Sequence, residues 1–160
     1  MVGRTAEHRA REATDLRTAL LGSAHPDVAA DLAVVAAALF EQQRHEEAEP
    51  LFQRALAIFA DHYGPDHLEV AVNIGNLAAL YSQAGRLQAA ESAYLQSLRI
   101  KTDLLGPMHV DVGRLLNNLA MLRERQGHRA AAVDLLDSAS LIFDAALGLT
   151  TAVRAAAARP

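Results

Sequence analysis

Apolar residues recur at spacings of three and four along the chain, and no stretch shows the period of two that marks a strand. The pattern predicts a leading helix over 4–20, followed by helix pairs at 26–42 and 45–61, 68–84 and 87–104, and 110–126 and 129–146. Punctuation agrees with this map. Gly85 and Gly127 each follow the first helix of a pair, where the chain must pass through the left-handed conformation that costs glycine least. Gln43 holds that place in the first pair, at a cost of up to about 1 kcal/mol. Pro107 forbids continuation of the helix ending near 104, and Pro26 opens another at its first position, where the missing N–H is harmless.

The pattern repeats with a step of 42 residues. Gly22, Gly64, Gly106 and Gly148 keep this step, as do His25, His67 and His109, Val28, Val70 and Val112, Ala36, Ala78 and Ala120, Ala48, Ala90 and Ala132, and Ile58, Ile100 and Ile142. One helix pair cannot bury its own apolar face, so successive pairs must stack into an all-α solenoid. The expected organisation is a single domain over 1–160, with repeats at 22–63, 64–105 and 106–147. A capping helix at 4–20 precedes them, and a tail or short capping helix at 148–160 follows. In the leading helix Ala6, Ala13, Leu16 and Leu20 fall in the columns of Ala48, Ala55, Ile58 and His62. Its Arg4, Glu7, Arg9, Arg11, Glu12, Asp15 and Arg17 predict a solvated face that finishes the amino end. The last helix offers Leu135, Ile142 and Phe143 to a neighbour, and Thr150 or Thr151 could N-cap a short alanine-rich helix to cover them.

Composition supports the helical reading: 34 alanines and 24 leucines stand against four Phe, three Tyr and no Trp. The 160 residues are 51% hydrophobic and 21% charged, which excludes disorder of the whole chain. Absence of cysteine excludes disulfides, thiolate metal sites and cysteine nucleophiles. No apolar run reaches the length of a membrane span and no signal-peptide core appears near the start, so the default location is cytoplasmic.

The second unit reads Ile74-x-x-Leu77-Ala78-x-x-Tyr81, then Gly85, Ala90, Tyr94 and Ser97. The third carries Leu116, Leu119, Ala120, Gly127, Ala132, Leu136 and Ala139, and the first carries Leu32, Val35, Ala36, Leu39, Ala48, Phe52 and Ala55. This register resembles the tetratricopeptide repeat signature. The 42-residue length, the linker Leu-Gly-x-x-His and the string Leu116-Asn117-Asn118-Leu119-Ala120 look like the subtype of kinesin light chains and many bacterial signalling proteins. HEAT-like repeats share the length but lack this register. Arg123 departs from the pattern, standing where an aromatic is usual. The resemblance implies a right-handed superhelical α-solenoid and a protein-interaction role.

Candidates for chemistry are weak. His25, His67 and His109 recur once per unit at the start of a first helix, which points to a structural role, bonding free backbone N–H groups or filling the turn. His62, Asp66 and His67 cluster in sequence, but no fourth metal ligand is apparent; no metal and no cofactor are expected. His45-Glu46-Glu47 lacks the second histidine of a zincin helix, and no phosphate loop or serine elbow is present, so the expectation is not an enzyme. Nineteen acids outnumber 14 arginines and one lysine, so nucleic acid is not the expected partner, nor is a membrane surface.

In the family, the first helix of each pair lines a concave groove. The resemblance therefore implies peptide contacts by Ala30, Val34, Ala37 and Glu41 in the first unit and by Val72, Asn76, Ala79 and Gln83 in the second. In the third it implies Arg114, Asn117, Asn118, Met121 and Arg125, with both arginines attracting acidic groups. Asparagine on such a face is informative because it weakens a helix, whereas its amide both donates to and accepts from a peptide backbone. An inter-helix hydrogen bond or simple exposure is the competing reading of the asparagines. The expected function is binding of a partner's peptide segment; the alternative is self-assembly into a homo-oligomer through the carboxyl-terminal face.

Overall fold

A computed structural model describes residues 2–148, with side chains from His8 onward. These residues form α1 (Val2–Leu21), α2 (Pro26–Glu41), α3 (His45–Tyr63), α4 (Leu68–Gln83), α5 (Leu87–Leu105), α6 (Val110–Arg125) and α7 (Arg129–Ala146), with no strand among them. Each helix lies within two residues of the bounds expected from the apolar pattern. The tail expected over 148–160, with Thr150 or Thr151 as its cap, lies from 149 onward outside the described residues.

The periodic residues explain the regularity. His25, His67 and His109 are the N-caps of α2, α4 and α6. In each, ring Nδ1 accepts the backbone N–H two residues on, from Asp27 at 3.1 Å, Glu69 at 3.2 Å and Asp111 at 3.1 Å. A helix start leaves such N–H groups without intrahelical partners, so the histidine step is structural. Between the helices of a pair, Gly85 and Gly127 adopt positive φ, and Gln43 is forced to φ 62° in the same place.

Alanine columns set the helix spacing. Ala36, Ala78 and Ala120 are fully or almost fully buried, as are Ala48, Ala90 and Ala132 on the second helices. Apolar clusters run without a break from Val28 and Phe59 through Leu39, Phe52 and Leu77 to Tyr94, Leu119 and Leu122. Ser97, fully buried in an otherwise alanine column, donates to the Ala71 carbonyl at 2.7 Å and so joins α5 to α4. Polar clamps cross the unit boundaries. Arg86 meets Glu49 through both nitrogens, at 3.1 and 2.6 Å, while its guanidinium lies 4.3 Å from the centre of the Tyr81 ring. Arg123, in the column of Tyr81, pairs instead with Glu91 at 2.5 Å.

The first helices touch in succession, α2 with α4 and α4 with α6, whereas the second helices touch only first helices on either side. The array therefore curves with α2, α4 and α6 on its inner face, the geometry of an α-solenoid.

Both ends differ from the sequence reading. In α1, Ala13 is exposed and Leu16 is 67% exposed, although Ala55 and Ile58 in their columns are buried; Leu20 is 80% exposed, and His62 in its column is exposed as well. Residues such as Ala55 and Ile58 are buried in the first unit, where α3 packs on α2, and no described helix plays that part for α1. Instead α1 meets α2 through Ala10, Thr14 and the Arg17 to Asp31 ion pair at 2.5 Å. Its charged residues Arg9, Arg11, Glu12, Asp15 and Arg17 are exposed, with Leu16 and Leu20 exposed beside them. At the other end, Ile142 is buried and Leu135 and Phe143 are half-buried. A Cβ at Gly113 would stand 3.1–3.2 Å from Phe143 and Ile142, so its absence lets both side chains settle onto α6. The apolar residues that α7 exposes are Val133, Leu136, Leu141 and Leu147.

A candidate binding groove

The inner face is built from residues that α2, α4 and α6 leave over after packing. None of the thirteen groove positions read from the sequence is buried. Ala30, Val34 and Glu41 of α2, Gln83 of α4, and Arg114, Met121 and Arg125 of α6 are exposed; Ala37, Val72, Asn76, Ala79, Asn117 and Asn118 are half-buried. Two of these also help the fold, since Ala37 and Ala79 pack against core clusters.

Five of the thirteen, Ala79, Gln83, Asn118, Met121 and Arg125, come together around a cavity of about 230 Å³. Three further residues complete its lining, Phe40 from α2, Ser82 from α4 and Tyr94 from α5. Ala30, Val34, Ala37, Glu41, Val72, Asn76, Arg114 and Asn117 lie elsewhere on the three helices. Tyr94 escaped the sequence reading because its column is a core column, filled by Phe52 and Leu136 in the neighbouring units.

Polar groups on this face are unequally occupied. Arg125 donates to the Ser82 carbonyl and hydroxyl, and Arg114 pairs with Asp111 at 3.3 Å, so neither is the unengaged cation that the sequence suggested. Gln83 Oε1 faces Gln43 Nε2 at 3.4 Å and His45 Nε2 at 3.2 Å across the unit boundary. Among the described residues, the side-chain amides of Asn76, Asn117 and Asn118 take no hydrogen-bond partner, and neither does the Tyr94 hydroxyl. Asn73, on the buried side of α4, differs: its amide donates to the Glu69 carbonyl at 2.9 Å. Burial pushes the Tyr94 phenol up to about 12, so the group stays protonated and able to donate.

The histidine-rich turn has other employment. Asp66 accepts from Arg99 at 2.6 Å, His67 caps α4, and Tyr63 lies between His62 and His67 with ring centres 4.6 and 4.2 Å away. The Asp66 carboxylate holds the Arg99 guanidinium above its usual range. Among the described residues no three His, Asp or Glu side chains are placed to hold a metal ion. No described helix is long and apolar enough to cross a membrane.

Comparison with known proteins agrees with this architecture. BtubC (BKLC) from P. vanneervenii superposes with a TM-score of 0.82 at 22% identity, over 91% of this chain and 58% of that one. A kinesin light chain protein of nearly identical TPR-like repeats from Podosopora anserina gives 0.76 at 24% identity, over 88% of this chain and 66% of that one. The chain thus spans less than two thirds of either structure. No curated protein matches the sequence. The tetratricopeptide repeat family matches over residues 3–61 and 32–103, together more than half of the chain. With this match, the 42-residue step and the seven described helices stacked in the same solenoid, the chain belongs to the tetratricopeptide repeat family.

Proposed function

We propose that the protein is a non-catalytic interaction module that holds a peptide segment of a partner protein along the inner face of α2, α4 and α6. Tetratricopeptide repeats are in general protein-interaction modules, which supplies the coarse function. The observation that carries the finer reading is the set of half-buried, unpartnered asparagine amides on α4 and α6. A half-buried amide without a protein partner is a poor choice for stability and a good one for a ligand backbone. The face is graded, with Ala30, Val34 and Ala37 at one end selecting by shape and Asn118 and Arg125 at the other by hydrogen bonds and charge. Peptide binding by wild type and by the Asn76→Ala, Asn118→Ala double variant tests this. Equal affinity of the two would remove the reading.

A second reading, self-assembly, draws on the apolar residues α7 exposes, Val133, Leu136 and Leu141. Light scattering on wild type and on Leu136→Glu, Leu141→Glu separates it from the first. A concentration-dependent oligomer lost in the variant would favour assembly.

A further inference from the structure

Tyr94 is only 4% exposed, yet it lines the cavity of the inner face, and its hydroxyl bonds to no described residue. The ring is buried but its oxygen opens onto the cavity, where water can take the missing bond, and Phe52 fills the same column in the first unit without an oxygen. The fold itself therefore gives no reason for the oxygen. Its surroundings narrow what an occupant can be. Phe40, Ala79 and Met121 are apolar walls, Asn118 and Tyr94 offer donors, and no acid is among the lining residues. Arg125 bonds to neutral Ser82 oxygens, and its charge meets no carboxylate among the described residues. The burial of Tyr94 places it at the floor, behind the apolar walls, so the complementary side chain needs an apolar stem and an anionic acceptor at its tip. Glutamate has both.

We propose that Tyr94 is a specificity-determining residue of the groove, its hydroxyl donating to the carboxylate of a glutamate in the bound segment, with Asn118 and Arg125 completing the pocket. The assignment rests on the groove reading above. Because burial holds the phenol protonated to about pH 12, it donates across the whole physiological range.

The test uses a defined probe: the tightest peptide recovered from a random dodecapeptide phage library on the wild-type protein, resynthesised with a fluorescent label. It is titrated against wild type, Tyr94→Phe and the Asn76→Ala, Asn118→Ala double variant. Each glutamate of the peptide is also replaced in turn by leucine. The expected result is about ten-fold weaker binding to Tyr94→Phe at an unchanged melting temperature. One glutamate replacement should weaken binding to wild type similarly and add little on Tyr94→Phe, the coupling of a direct contact. Loss of affinity in the asparagine variant alone, with Tyr94→Phe binding like wild type, overturns the Tyr94 assignment and leaves the groove reading standing. A lowered melting temperature of Tyr94→Phe also overturns it, because the oxygen would then serve the fold. Undiminished binding to the asparagine variant, or a selection that recovers no peptide, overturns the groove reading and the Tyr94 assignment together.

Discussion

Arg125 Nη1 donates to the Ser82 carbonyl at 2.5 Å and to the Ser82 hydroxyl at 3.0 Å, tying the last turn of α6 to the last turn of α4. The Ser82 carbonyl already accepts the Gly85 N–H at 3.1 Å, and its second lone pair takes the guanidinium, which thereby joins two consecutive units. Arg125→Ala should lower stability by about 1 kcal/mol, the size of an exposed charge-assisted bond, as read by urea unfolding. Arg125→Lys keeps the charge but not the two-point contact, and should recover less than half of the loss. An alanine variant as stable as wild type would mean that the contact joins nothing.

The histidine caps predict a chemical, not a steric, requirement. His67 supplies a ring nitrogen to the Glu69 N–H, and asparagine supplies an oxygen at comparable reach. His67→Ala should therefore cost about 1 kcal/mol, and His67→Asn only a few tenths. Thermal unfolding of both variants decides this; equal losses would show that the imidazole matters for its stacking on Tyr63, whose ring centre lies 4.2 Å away, and not for its nitrogen.

How far the sequence carried depended on whether a residue's neighbours belong to its own unit. Ala78 and Ala120 were legible as close-contact positions because the 42-residue step repeats them as small residues, although Ala78 also packs with Leu115 and Leu119 of the next unit. Ala13 and Leu16 depart from their buried columns because column arithmetic supplies every second helix with a paired first helix, and α1 has none among the described residues. Ile142 was misread for a local reason: Gly113 stands where Ala29 and Ala71 stand in the other units, and the missing methyl admits Ile142 and Phe143. The bond from Arg125 to Ser82 and the cavity around Tyr94 depend on the angle between successive units, which no single-helix pattern encodes.

Tyr94 also predicts an alkaline effect in the absence of any ligand. Its phenol titrates near 12 in the folded chain and near 10 when exposed, so between these values the folded state keeps a proton that the unfolded state has lost. The folded state then binds more protons, and stability falls as pH rises from 10 towards 12, by at most about 2–3 kcal/mol before allowing for partial solvation. Tyr94→Phe removes this contribution. Its unfolding free energy should decline less steeply over that window than that of the wild type, and identical slopes would mean that burial of the ring leaves the phenol unshifted.

Asn76 and Asn118 occupy one column, 42 residues apart, on α4 and α6. Val34 stands in that column on α2, so a ladder of amides begins only at the second unit. If the two amides hold successive stretches of a peptide backbone, Asn76→Ala with Asn118→Ala should weaken binding by about 1–3 kcal/mol, because peptide groups desolvated in the groove are left unpaired. Folding should respond oppositely or not at all: neither side chain has a hydrogen-bonding partner among the described residues, and alanine is the better helix former by several tenths of a kcal/mol at each position. A melting temperature equal to or above that of the wild type, together with weakened binding, is thus the expected pair of results. Unaltered affinity with a lowered melting temperature would assign both asparagines to the solenoid and none to a ligand.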